Sequence, residues 1–167
     1  MSDVAGERDP IDVILEQWRR ERPDLDLSAM GVFGRLALVT RRAEASVDRV
    51  FAGHGLRHGE FDVLAALRRS GPPYTAIPSE LSAALMMSRA GMTNRIDRLA
   101  AAGLVERSLD PADRRSFRVT LTAEGRRVID AAMTDHAAAL ARLTAGLAPE
   151  DAETLTRILR SMLTPSP

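Results

Sequence analysis

The sequence predicts a mostly α protein carrying one small β-hairpin, the arrangement of a winged helix-turn-helix. Three observations carry this reading. Long stretches repeat apolar residues at helical spacing. Phe117, Val119 and Leu121 fall at every second position, the period of a strand with one buried face. Between this run and a partner strand opening at Leu104-Val105 lies a polar loop with Asp110, Pro111, Asp113, Arg114 and Arg115. An arginine-tipped hairpin directly after a short helix makes poor core material and suits a wing reaching into a DNA groove.

Each element has its own local reason. Asp9-Pro10 starts the first helix as cap and first-turn proline, and Ile11, Ile14, Leu15 and Trp18 share one face before Arg22-Pro23 ends it. A longer helix is predicted from Ser28 to about Ala52, carrying Phe33, Leu36, Val39, Val47, Val50 and Phe51, and broken by Gly53 and Gly55. A third, from about Gly59 to Arg69, holds Phe61, Val63, Leu64 and Leu67 and stops at Gly71-Pro72-Pro73. Pro78 opens a short fourth helix. Ser88 caps a fifth, with Met92, Ile96 and Leu99 on its inner face. That short helix, tight turn and second helix have helix-turn-helix spacing. Beyond the hairpin, Thr122 caps a helix to about Gly146 with a stripe of Val128, Ile129, Ala132, Met133, His136, Leu140 and Leu143. Pro149 begins a last helix carrying Leu155, Ile158, Leu159, Met162 and Leu163. Met86, Met87 and Met92 are expected in the core.

Composition narrows the function classes. The absence of cysteine removes disulfides, thiolate metal sites and cysteine catalysis. The chain lacks an apolar run of the roughly 20 residues a bilayer requires, and MSDVAGERDP lacks the apolar stretch of a signal peptide. A cytoplasmic protein with no membrane partner is expected. The net charge is zero, but its distribution is uneven. Residues 85–120 hold seven arginines (89, 95, 98, 107, 114, 115, 118) against four acids (97, 106, 110, 113), a balance of +3. All 23 basic residues are arginine, whose planar fork suits phosphate and narrow minor grooves. His54 and His58 straddle Gly55 in a helix break, which does not secure the geometry of a metal pair; no metal or cofactor is expected. Nucleophile elbow, phosphate-cradling glycine loop and paired catalytic carboxylates are all missing, so no enzymatic activity is expected.

The segment GLVERSLDPADRRSFRVTLTAEG resembles the wing of the MarR family of bacterial transcriptional regulators, and IPSELSAALMMSRAGMTNRIDRLAAAGLV resembles that family's helix-turn-helix. The resemblance extends over about residues 10–163 and is most specific at Asp113-x-Arg115 followed by Val119-Thr120-Leu121-Thr122. It implies one MarR-like domain over 1–167. Helices within about 10–52 and 123–163 would form a dimerisation lobe, and about 59–122 would form the DNA-binding lobe. It further implies that Arg115 enters a minor groove, that Asp113 orients it, and that Ser88 to Arg98 form the recognition helix. Ser88, Arg89, Thr93, Asn94, Arg98, Arg114 and Arg118 complete the expected DNA contacts, with Arg98 alternatively paired to a carboxylate of its own domain. The family's usual Thr before the Pro of PxEL is Ile77 here, so this helix lacks its side-chain cap, at a cost of about 1 kcal/mol.

A branch of the family that responds to urate and xanthine-like ligands carries an extra N-terminal helix with a tryptophan. Trp18, Asp62 and Arg95 match three of that branch's ligand positions, and Ser70 stands where the branch has Asn or Arg. The implied partners are a palindromic double-stranded operator, a second copy of the chain and a small aromatic or anionic effector. The implied function is a ligand-responsive homodimeric repressor. The alternative is a helical protein-interaction module of the same fold without DNA binding, whose wing tip would carry acids or apolar residues instead of arginines.

Overall fold

The computed structural model describes residues 8–110 and 116–164. Its elements are α1 (Pro10–Glu21), α2 (Ser28–Gly53), α3 (His58–Arg69), β1 (Thr75–Ala76), α4 (Pro78–Ala84), α5 (Arg89–Ala101), β2 (Val105–Leu109), β3 (Phe117–Leu121), α6 (Ala123–Thr144) and α7 (Pro149–Leu163). They form two compact units, residues 1–45 and 46–167, with α2 contributing to both.

In the first unit, Asp9 caps α1, its carboxylate accepting from Ile11 N at 2.8 Å and Asp12 N at 3.0 Å, while the Asp12 carboxylate accepts from Asp9 N. This reciprocal box satisfies donors that a helix start leaves open. Arg35 of α2 then donates to Asp9 at 2.7 Å and to Asp12 at 2.5 Å, clamping the start of α1 to α2. Beneath the clamp Ile11, Leu15 and Leu27 are buried and pack with Leu38. Trp18 stays 45% exposed.

The second unit holds the larger core. Phe61 to Leu67 of α3 are buried apart from Asp62. Met92, Ile96 and Leu99 of α5, Val119 and Leu121 of β3, and Ile129 and Ala132 of α6 close around them. Phe51 stacks on Phe61 with ring centroids 4.1 Å apart. The sheet runs β1-β3-β2, all antiparallel, with Val105 opposite Leu121 and Leu109 opposite Phe117. The hairpin is therefore three-stranded: Thr75 and Ala76 add an edge to β3. Two residues show no alternation, so the sequence carries no sign of this strand.

Met86 corrects an expectation of burial. It adopts φ of +51° in the turn between α4 and α5 and is 94% exposed. A left-handed turn residue sends its side chain away from the two helices it joins. Met87 is half-buried and Met92 fully so. Past Ala132, the apolar stripe of α6 emerges: Met133, Leu140 and Leu143 are exposed, as is Leu147 beyond it. No residue of α7 is buried. Among the described residues, no helix is long and apolar enough to cross a membrane.

Candidate nucleic-acid interface

Helix α5 begins where its sequence says it should. The Ser88 hydroxyl accepts from Gly91 N at 3.1 Å, as an N-cap does. Its apolar face, Met92, Ile96 and Leu99, seals the core and leaves Arg89, Thr93 and Asn94 exposed. Thr93 Oγ1 donates to Arg89 O at 3.0 Å. Arg89 and Thr93 line a groove of about 390 Å³ with Ser79 and Ser82 of α4 and with Ser116 and Phe117 at the hairpin. Polar donors and acceptors from the helix-turn-helix and the wing thus converge on one surface.

Helix α4 is preceded at its N-cap by Ile77, which offers no side-chain acceptor to the first turn. Half of the usual reciprocal box survives: the Glu80 carboxylate accepts from Ile77 N at 3.2 Å. Helix α6 is anchored more firmly. Thr122 Oγ1 accepts from Gly125 N at 2.9 Å and donates toward Gly103 O at 2.8 Å and Leu104 O at 3.1 Å. A Cβ at Gly125 would overlap the Leu104 carbonyl oxygen. The Leu-Thr-x-x-Gly run is therefore the joint between the hairpin and α6.

The structure sorts the arginines of this region. Arg98 Nε donates to Glu60 Oε1 at 2.5 Å, and the Glu60 side chain is only 8% exposed. Arg118 pairs with the buried Asp110 at 3.1 Å, and Asp110 N donates to Ser116 O just past the last strand pair, at the loop end of the hairpin. Arg107 pairs with Asp97 and lies over the Phe117 ring. Of the five arginines described within residues 85–120, three are thus held by carboxylates, including Arg98 and Arg118, which the sequence reading offers as DNA contacts. Arg95 Nη1 donates to Gly91 O at 3.0 Å, and its guanidinium lies against Gly59 of α3. Asp62 is partly buried on α3. Asp113, Arg114 and Arg115 lie outside the described residues.

Glu60 and Asp110 are the site residues that sequence reasoning missed. Glu60 had one legible sign, an acid at the third position of a helix, where it closes a cap; its carboxylate does accept from Arg57 N at 2.9 Å. Burial by itself would raise its pKa. The Arg98 hydrogen bond and the Arg57 backbone N–H outweigh burial and hold it below the ordinary carboxylate value. His54 and His58 face different carboxylates, Asp135 at 2.8 Å and Asp48 at 3.2 Å.

The MarR family model matches residues 54–116, from the end of α2 to the hairpin. The transcriptional regulator PecS of Dickeya dadantii is 43% identical over 123 residues, covering 74% of each chain. Among solved structures, Bordetella bronchiseptica BpsR, described as regulated in DNA binding by 6-hydroxynicotinic acid, is 28% identical with a TM-score of 0.67, covering 80% of this chain and 98% of its own. Streptomyces coelicolor Sco3205, solved in complex with DNA, is 25% identical with a TM-score of 0.74, covering 85% and 91%. A helix-turn-helix with an exposed polar face, joined to an antiparallel hairpin and matched in sequence to PecS across 74% of each chain, places this chain in the MarR family of DNA-binding transcriptional regulators.

Proposed function

We propose that two copies of the chain bind a palindromic operator, each laying α5 in a major groove and its hairpin tip in the flanking minor groove. The observation that carries this is the exposed face of Arg89, Thr93 and Asn94 on a capped helix whose opposite face is sealed in the core. Phosphate contacts would set the register, and a few side chains would read bases. Arg115, with Asp113 orienting it, supplies the minor-groove cation, where a narrow groove favours arginine most. Arg114 adds charge beside it.

The second copy is called for by the apolar stripe Leu155, Ile158, Leu159 and Met162 of α7, together with Leu140 and Leu143 of α6, all open to solvent in the single chain. An isologous pairing covers such faces twice over. In this reading the helices within 10–52 and 123–163 supply the dimerisation surfaces, and 59–122 supply the DNA-reading surface.

Effector response belongs to the same proposal. BpsR, a structural neighbour, is regulated by an aromatic acid, and this chain offers the exposed indole of Trp18, the guanidinium of Arg95 and the carboxyl of Asp62. Indole faces stack on flat rings, and guanidinium pairs with anions. A ligand that binds the DNA-incompetent state better shifts the population off DNA, which makes the protein a ligand-released repressor.

Footprinting the purified protein on the DNA upstream of its own gene tests the reading. A protected palindrome with half-site centres about one helical turn, ~10 bp, apart is expected. Absence of sequence preference together with a flat salt response would refute it in favour of a helical interaction module. Titrating urate and hydroxylated aromatic acids against Trp18 emission tests the effector: quenching and DNA release must share one concentration range.

A further inference from the structure

The first turn of α3 carries a buried carboxylate and receives two arginines from α5. Glu60 is 6% exposed. One carboxylate oxygen closes its own helix start on Arg57 N at 2.9 Å; the other takes Arg98 Nε at 2.5 Å. One residue earlier, the Arg95 guanidinium occupies the space above Gly59, where a Cβ would come within 2.8 Å of Arg95 Cζ. Arg95 and Arg98 are three apart and so share a flank of α5, between its core face and the open face of Thr93 and Asn94. This flank borders a cleft of about 270 Å³ lined also by Arg57, Leu99 and Leu104.

We propose that Glu60 is a positioning residue for DNA recognition: by capturing Arg98 it sets the roll of α5 about its axis, and Arg98 serves the interface from behind and not as a phosphate contact. The proposal builds on the DNA-binding function of the chain and does not depend on a palindromic site. Its leverage is geometric. With side chains a helix has a radius of roughly 5–6 Å, so a roll of about 20° moves an outward side chain by about 2 Å. Hydrogen bonds to base edges do not survive such a displacement. Apolar contacts at Met92, Ile96 and Leu99 resist separation of α5 from the core but tolerate small rolls. A charge-assisted bond on the flank does not. The Arg98 guanidinium and the Arg57 N–H outweigh burial and hold the Glu60 carboxyl below the ordinary carboxylate value, which favours the charged form that Arg98 pairs with.

The test is a mutant cycle read on two duplexes, the footprinted fragment and a random-sequence duplex of equal length. Each phosphate contact contributes about 0.9 to the slope of log affinity against log salt. Arg98→Gln in the otherwise native chain is expected to leave the random-duplex slope unchanged, because that guanidinium is already neutralised, while cutting the preference for the footprinted fragment about tenfold or more. Glu60→Gln frees the guanidinium: the slope should steepen by about 0.9 as preference falls. The double variant should return the slope to its native value with preference still low. A slope flattened by about 0.9 in Arg98→Gln alone would make Arg98 a phosphate contact and overturn the proposal. Unchanged preference in both single variants would reduce Glu60 to a helix cap and overturn it equally. If Glu60→Gln fails to fold, Arg98→Gln decides alone, since it removes a half-exposed side chain from the same pair.

Discussion

In the proposed dimer, replacing Ile158 by Glu on α7 should weaken association, and the size of the effect can be worked from exposure. Leu155, Ile158, Leu159 and Met162 keep between 36% and 44% of their surface open in the single chain. Full burial of such a side chain contributes about 1.5–3 kcal/mol, so the open two-fifths represents about 0.6–1.2 kcal/mol per residue. A two-fold interface counts each position twice, and losing Ile158 therefore costs about 1–2.5 kcal/mol in area alone. An unpaired carboxylate in the same place adds a desolvation penalty of several kcal/mol per ion. At 1.4 kcal/mol per decade, the dimer should dissociate at least about tenfold more readily, and on the order of a thousandfold if the carboxylate cannot reach water. Sedimentation equilibrium over a wide concentration range reads this directly. Arg157→Glu, on the opposite side of α7, is the control and should sediment as the native chain does. If Ile158→Glu keeps the native dissociation constant, the α7 stripe is not the interface and the reasoning fails.

Three further outcomes follow from named contacts. Gly125→Ala places a Cβ on the Leu104 carbonyl oxygen; overpacking of about 1–3 kcal/mol should lower Tm by about 2–4 °C per kcal/mol in a chain of this size, and an unshifted melt would deny that the joint is tight. Asp9 and Asp12 both have pKa values below the ordinary carboxylate value, Asp9 because its backbone hydrogen bonds and Arg35 outweigh desolvation, Asp12 chiefly through the Asp9 backbone N–H and Arg35. The sign is that of a depressed acid: the stabilisation of α1 is complete above the unfolded pKa near 4 and is lost as pH falls through the folded values. Acid titration of the Trp18 emission should show this loss, and Arg35→Ala should move it to higher pH; a titration indifferent to Arg35 would remove the clamp. Arg115→Ala should lose most operator affinity at unchanged Tm, and near-native binding would dismiss the minor-groove role of the wing.

Much of this protein is legible locally. Asp9, Ser88 and Thr122 cap helices in the structure, Pro10, Pro78 and Pro149 open them, and the alternation of Phe117, Val119 and Leu121 becomes β3. Caps, prolines and periodicity act within a few residues, so composition and spacing contain them. The polar face of α5 is also legible, because an apolar stripe on one side of a helix defines the polar side.

What spacing could not reveal was which charges meet. Arg98 and Arg118 read as DNA contacts in a basic segment, with an unidentified carboxylate of its own domain as the alternative for Arg98; the partners are Glu60, 38 residues from Arg98 in sequence, and Asp110, which reaches Arg118 across the hairpin. Such pairs exist because packing of the apolar faces brings their backbones together and burial then makes an unpaired carboxylate costly. The edge strand Thr75–Ala76 forms for the same reason: its partner on β3 supplies the order that two residues lack. Met86 illustrates the converse, an apolar side chain turned outward because the backbone of a tight turn, and not hydrophobicity, sets its direction. Local chemistry chose the helices and the hairpin; long-range packing assigned the arginines, separating those held by carboxylates, such as Arg98 and Arg118, from those left exposed, such as Arg89.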